Sequence, residues 1–573
     1  MNDNGAITRR LYKKFYISTV ITVFLRNSAY FISSFLAGNL LGPAALGTVG
    51  LLVPFSFFYI ALGTLYEIGC AALCSKYIGD NDFDGAKKIV TAAYVSNLVI
   101  CAAIAALGFL FLNDILYALK IPAETFAEAR VYASVFMVCG FFISSVSIGY
   151  ALLKFDGYLK ALTIVTAISP LSALTITYAL ISRAGAGLSA IAAGTCAGYV
   201  VIGLIILYLT ANKAKVLGFV RVRPGELSRI CMKIVKNGLT GATGEICSIV
   251  NGVVINTLLI TNYGQLALSC FTAYCALFSL YAASTLGSSL AFVQLAGVMN
   301  AERDSTGVER VVYTSLAWGL SLAVVVSVGN LYFTGPISAG FGLGSPEAAA
   351  VMRPVMLALS ICAVFDVFTN TFIFLYNTLG RHMASTMLVA GRRMGFLLLP
   401  AFVLSDLMGV TGVWHSLWLC SALTSAAAII YSSIAARRNP YLTKPFLIDT
   451  EAERKGNFIS FSVNNDAEDV VNRLENIASF CRHNRIDRAR TDLIALTIEE
   501  MLSLIRDHSP KGRAGTISVR LLFYKDDAVI RIRSDGEMFN PSEKLTPGDA
   551  LNRRVKNTDY RQIFGVNNLT ITI

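Results

Sequence analysis

The sequence predicts an all-α polytopic membrane protein of about 12 transmembrane helices in two six-helix bundles, followed by a small α+β cytoplasmic domain. Three observations carry this reading: the apolar balance, the recurrence of membrane-length apolar runs, and a sharp change of composition after Arg437 and Arg438. Of 573 residues, 55% are hydrophobic and 15% charged, too apolar for an ordinary soluble chain of this length. A hydrocarbon core of about 30 Å needs about 20 apolar residues per helix. Such runs recur from Phe15 to about Ala436 and nowhere later.

In chain order the spans fall near 15–38, 44–70, 88–112, 130–152, 161–182, 186–211, 237–260, 265–297, 311–334, 349–378, 384–407 and 412–436. The first follows Arg9, Arg10, Lys13 and Lys14 and is too long for the apolar region of a cleavable signal peptide, so none is expected. Lys87, Lys88, Lys213, Lys215, Arg221, Arg223, Arg437 and Arg438 fall on the side of the N-terminus, whereas Lys120, Arg130, Arg183 and Arg353 face the other way. That bias predicts both termini in the cytoplasm, with the chain crossing the cytoplasmic (plasma) membrane many times. The net charge of +12 is therefore topological. No basic patch with interleaved aromatics marks the tail, so nucleic acid is not an expected partner. The twelve cysteines show no CxxC pair and read as packing residues, and the four histidines form no ligand cluster, so no structural metal site is expected.

The chain also repeats itself. A shift of 222 residues (264 minus 42) aligns Gly42 with Gly264, Ala45 with Ala267, Leu46 with Leu268, Tyr59 with Tyr281 and Ala61 with Ala283. The register continues through a loop, where Gly85 meets Gly307, Lys88 meets Arg310 and Val90 meets Val312. Residues 1–222 and 223–439 thus read as duplicated halves, with chance similarity between apolar helices as the alternative. An even number of spans per half makes the repeat parallel, and transporters built this way hold substrate near the bilayer midplane between halves that rock.

The stretch LLGPAALGTVGLLVPF with GTLYEIGCAALCSKYIGDNDFDGAKKIVTAA, its counterpart at 263–312, and the ending LLLPAFVLSDLMGVTGVWHSLWLCSALTSA resemble the multidrug and toxin extrusion (MATE) family over about residues 10–440. The resemblance implies two bundles around a central cavity and export of amphipathic, often cationic compounds in exchange for Na+ or H+. It also implies a transporter rather than an enzyme, with no cofactor beyond the coupling ion.

Charged groups inside a bilayer are costly, so each is a functional candidate by default. Glu245, in GATGEICSIV, and Asp366, in ICAVFDVFTN, match acidic positions that one branch of the family uses for cation coupling. Paired carboxylates of raised proton affinity would let a sodium ion, proton or organic cation compete for one site. Asn251, Asn370 and Ser248 lie one or two turns away and could add oxygen ligands for a hard cation such as Na+. The bland alternative is a pair of buried, hydrogen-bonded carboxylates with no transport duty. Arg26 and Glu67 could form an intramembrane ion pair in the first half, either locking the bundle or lining the substrate path. Arg381, Arg392 and Arg393 read as a cytoplasmic helix end. Where another branch of the family carries an aspartate in its first helix, this chain has Ser33. Tyr30, Phe31, Phe57, Phe58 and Tyr59 could hold organic cations but read as packing.

Residues 440–456 read as a linker and 457–573 as a second domain. FISFSV suggests a strand, Asp466–Asn484 and Arg488–Asp507 amphipathic helices, TISVRLLFYK and AVIRIRS an antiparallel pair, and NLTITI a final strand. With LTIEEMLSLIRDH, IRSDGEMFNP and DYRQIFGVNNLTITI, this order resembles the histidine-kinase-like ATPase fold in its anti-sigma-factor form. The resemblance implies nucleotide-binding roles for Glu500, His508, Asp535 and Gly536. Leu504 replaces the magnesium-binding asparagine, and no glycine-rich lid is evident between Pro541 and Tyr560. A leucine cannot ligate a hard cation, so a degenerate regulatory or scaffolding domain is expected, with ATP or a regulatory protein left open as its partner. Two other readings stand beside the exporter: a flippase for lipid-linked or other amphiphilic substrates, which basic residues facing the cavity would favour, and a membrane-tethered signalling protein.

Overall fold

The structure is a computed structural model. It describes all residues except 1–5, 80–82, 154–157, 214–217, 302, 456, 465–466, 509–515, 525–526, 536–538, 545–555 and 564–565. The first half comprises α1 (Ala6–Leu36), α2 (Pro43–Gly79), α3 (Phe83–Leu110), α4 (Leu112–Ala118), α5 (Phe126–Leu153), α6 (Leu159–Thr166), α7 (Ile168–Ala184) and α8 (Leu188–Asn212). The second comprises α9 (Pro224–Asn262), α10 (Gly264–Ala301), α11 (Ser305–Tyr332), α12 (Thr334–Gly340), α13 (Pro346–Thr378), α14 (His382–Ala390), α15 (Phe396–Met408) and α16 (Val410–Arg438). Among the described residues, twelve spans, some made of two helices in succession, are long and apolar enough to cross a membrane. Large apolar side chains such as Leu110, Tyr332 and Leu407 stay exposed along them, as lipid-facing residues would.

The repeat seen in the sequence is present in the backbone. α11 and α12 start and end 222 residues after α3 and α4, and α10 follows α2 within one residue. The turn glycines repeat as well: Gly42 and Gly264 both take a left-handed φ, of 90° and 79°, where a side chain would be strained. Lys120 and Gly342 form a second pair of positive-φ positions at the same shift.

The chain divides into two compact units. One contains Ser18–Leu290 and Trp318–Ala428, the bulk of the helices. Within it, small residues let α2 approach its neighbours closely: the Ser269 hydroxyl donates to the Pro43 carbonyl at 2.6 Å, and the Gln265 amide to the Ala44 carbonyl at 2.9 Å. The aromatic residues singled out above make ring contacts, Tyr30 edge-on to Phe57, Phe31 against Phe35 and Phe341, and Tyr59 against Phe58.

The other unit contains Met1–Ile17, Ala291–Ala317 and Ile429–Ile573. Within the connector, residues 440–455 are folded, with Phe446, Leu447 and Ile448 buried and a short helix α17 (Glu451–Lys455). Then follow β1 (Asn457–Asn464), α18 (Ala467–His483), α19 (Arg488–His508), β2 (Thr516–Tyr524), β3 (Asp527–Asp535), β4 (Asn557–Ile563) and β5 (Val566–Thr572). The strands form one antiparallel sheet in the order β1-β2-β3-β5-β4. Period-2 alternation puts Val463, Val519, Leu521, Ile530, Ile532, Leu569 and Ile571 on one face, where Ile477 of α18 and Ile494, Ile498 and Met501 of α19 cover them. β4 was not foreseen. It pairs with β5 and begins at the end of the stretch, between Pro541 and Tyr560, where a nucleotide lid was sought.

Candidate functional site

The helix α14 does not run straight into α15. A π-helical turn, Gly391–Gly395, joins them, with glycines at both ends and Arg392 and Arg393 inside it. Such wide turns free backbone groups and re-aim side chains. Here the Arg393 carbonyl is taken by the Asn251 side-chain amide of α9 at 2.9 Å. Consecutive residues of the turn point in different directions: Arg392 reaches Asp366 of α13 while Arg393 reaches Gly244 and Ser248 of α9.

Arg392 binds Asp366 directly. The Asp366 carboxylate is buried and accepts a second hydrogen bond, from the Ser421 hydroxyl of α16 at 2.8 Å. The Arg392 guanidinium also donates to the Asn370 side-chain oxygen at 3.5 Å. This pair is closed, with side chains 14% and 2% exposed. The second pair is open. Arg393 stands 3.9 Å from Glu245, beyond hydrogen-bond distance, and the side chains are 33% and 26% exposed. Arg393 instead donates to the Gly244 carbonyl at 2.5 Å and to the Ser248 hydroxyl. The two pairs meet at adjacent arginines, and their formal charges sum to zero.

The structure thus brings together Glu245, Asp366, Asn251, Asn370 and Ser248, and adds two arginines that sequence reasoning placed elsewhere. Arg392 and Arg393 were expected at a cytoplasmic helix end with Arg381. Arg381 does sit at the start of α14, but the other two lie well inside the apolar span His382–Met408. The signal available in the sequence was distance: eleven residues beyond Arg381 is about 16 Å along a helix, too far for one flank. A guanidinium cannot lose its proton under physiological conditions. The cluster is therefore not a bare pair of carboxylates. A cation entering at Asp366 must displace Arg392 from a hydrogen-bonded, buried site, whereas one entering at Glu245 faces only a loose contact.

In the first half, Arg26 is exposed on α1 and Glu67 half-buried on α2. Among the described residues they form no ion pair with each other. Ser33 is buried and shares a hydrogen bond with Thr195 at 2.9 Å. Among the described residues no group of His, Cys, Asp or Glu is arranged to hold a metal ion.

The tail residues do not assemble into a described site. Glu500 is half-buried on α19, and Leu504, one turn on, packs against the tail core. His508 stacks on Phe539 with ring centroids 3.8 Å apart. Asp535 ends β3 opposite Val566, while Gly536 and most of the stretch searched for a lid lie outside the described residues.

Comparison with known proteins agrees with the geometry of the helices. A family model described as MatE matches residues 19–179. The multidrug export protein MepA of Staphylococcus haemolyticus is 23% identical over 426 residues, covering 71% of this chain and 89% of that protein. A solved inward-facing multidrug resistance MATE transporter of the MOP superfamily superimposes with a TM-score of 0.64 at 18% identity, over 73% of this chain and 98% of its own. A MOP superfamily transporter from Pyrococcus furiosus, described as having a binding pocket of reverse polarity that suggests a different function, gives 0.62 at 18% identity, over 75% and 97%. The helical part of this chain has the MATE transporter fold.

Proposed function

We propose that this chain is a secondary active exporter of the MATE family that moves amphipathic organic compounds across the membrane by alternating access of its two halves, coupled to Na+ or H+. The observation that carries the coupling is the charge cluster of Glu245, Asp366, Arg392 and Arg393 inside the second half. Buried charge within a span is retained at a cost, and this cluster has one closed pair and one open pair. The open pair is the entry point: a cation arriving at Glu245 replaces Arg393, whose guanidinium keeps its bonds to Gly244 and Ser248. The closed pair at Asp366 is exchanged only when the helices rearrange. Transport, rather than catalysis, is the role, and both termini lie in the cytoplasm. The test is ion-driven efflux in Glu245→Gln and Asp366→Asn: each abolishes it while the protein stays folded, and unchanged efflux in both would sink the coupling reading.

A second reading is favoured by one observation. Arg392 and Arg393 are basic residues within the span, which suits the acidic headgroup of an amphiphile and hence a flippase. Transport of an anionic amphiphile, lost in Arg393→Gln and kept in Glu245→Gln, would select it over the cation exporter.

A further inference from the structure

On an antiparallel sheet with one face on a core, the other face ordinarily meets water. In the tail, Val519 and Leu521 of β2 face the helices, so Arg520 and Leu522 belong on the outer face. Yet Arg520 is 8% exposed and Leu522 3%. What covers Arg520 is the turn between α10 and α11 together with α17. Its guanidinium donates to Asp304 at 2.9 Å, to Glu453 at 2.6 Å and to the Arg303 carbonyl at 3.4 Å, and lies 4.8 Å from the Phe458 ring centroid.

The two carboxylates also serve α11. Asp304 caps its start, accepting from the Gly307 N–H at 2.9 Å. Glu453 accepts from the Ser305 hydroxyl, from the Thr306 N–H at 3.3 Å and from the Thr306 hydroxyl at 3.0 Å. A negative charge at a helix N-terminus is favourable. One guanidinium thus sits between two carboxylates, with side chains 9%, 13% and 12% exposed. A second, independent contact lies nearby, the Tyr313 ring of α11 edge-on to Phe446 of the connector at 5.4 Å. The compact unit that holds the tail also takes in Ala291–Ala317, the end of α10 and the beginning of α11.

We propose that the tail is a clamp on the α10–α11 turn, latched by Arg520, and that it sets the balance between the transporter's conformations. This rests on the alternating-access reading only in so far as α10 and α11 must move. A clamp that fits the turn in one arrangement stabilises that arrangement over any other, and so shifts their populations. Losing one partner of a buried, hydrogen-bonded ion cluster leaves a charge stranded. The shift on breaking the latch is therefore expected to be about tenfold or more.

The test uses amide hydrogen exchange on the full chain in lipid nanodiscs, comparing wild type with Arg520→Ala and Glu453→Gln. Exchange at 303–307 should rise in both single variants. Exchange at 332–344, beyond the opposite end of α11, should change by about tenfold in the same two variants. If only 303–307 responds, the tail merely docks and the clamp is refuted. Glu453→Gln keeps the side chain's shape, so unchanged exchange at 303–307 in that variant overturns the latch even where Arg520→Ala fails to fold. Because the readout needs no substrate, a wild-type protein that moves no ethidium would count against the exporter reading and leave the clamp result standing.

Discussion

Removing Arg392 should be among the most damaging single changes in the helical part. Its partner Asp366 has a side chain only 2% exposed, and besides Arg392 it holds one hydrogen bond, from Ser421 at 2.8 Å. In Arg392→Met the carboxylate keeps that bond but loses its counter-charge. Breaking a buried ion pair by deleting one partner costs about 3–5 kcal/mol, about two to four powers of ten in the folded-to-unfolded ratio. Replacing both charges removes the penalty, so Asp366→Asn/Arg392→Met should recover most of the loss. The assay is unfolding of purified protein by titration with sodium dodecyl sulfate, read by circular dichroism for the two single variants and the double. A loss below about 1 kcal/mol in Arg392→Met, or a double variant costing the sum of the singles, would refute the pairing.

Glu245→Gln should behave differently in the same titration: its pair is 3.9 Å apart and part-exposed, so the loss should stay below about 1 kcal/mol even though transport suffers. Gly238→Ala should destabilise by about 1–3 kcal/mol, because its new methyl would lie 1.9 Å from the Leu65 carbonyl and push α9 off α2. Gly252→Ala on the same helix meets open space and should be neutral or gain up to about 1 kcal/mol; equal effects at both sites would refute the close crossing. The Glu453 carboxyl is held below its ordinary value of 4.5: burial opposes this, but the hydrogen bonds from Ser305 and Arg520 outweigh it. A lowered folded value means that its contribution is complete above about 4.5 and is lost as pH falls through the lower folded value. Protection at Ser305 and Thr306, taken relative to the intrinsic exchange rate at each pH, should therefore fall on acidification from about pH 6 to pH 3 and be flat in Glu453→Gln, whereas protection that falls on going to alkaline pH instead would contradict the assignment.

The spans were legible because a bilayer imposes one strong requirement, a long run of apolar residues. The helix pairs and their turns recur at a shift of 222 residues, down to the positive-φ glycines Gly42 and Gly264, which is why the period could be read from the sequence. In the tail, strand and helix signals were equally local, from FISFSV to NLTITI. What escaped was of another kind. The strand NTDYRQI carries few apolar residues and gives no alternating pattern to read. Arg392 and Arg393 were misplaced because a double arginine near glycines looks like a helix flank, and nothing local says that α9 and α13 each offer a carboxylate. Arg520 gave no signal at all: the alternation puts it on an outer face, and only the folded connector and the α10–α11 turn bury it. Partners far apart in sequence are set by packing, which periodicity does not report.

The central claim is that the helical part is an ion-coupled exporter. Its most direct test is uptake of ethidium, a fluorescent organic cation, into inverted membrane vesicles under an imposed proton or sodium gradient, with wild type beside Glu245→Gln. The account predicts gradient-driven uptake in wild type that is lost in the variant. Absence of uptake under either gradient, or uptake equal in the two proteins, would contradict it.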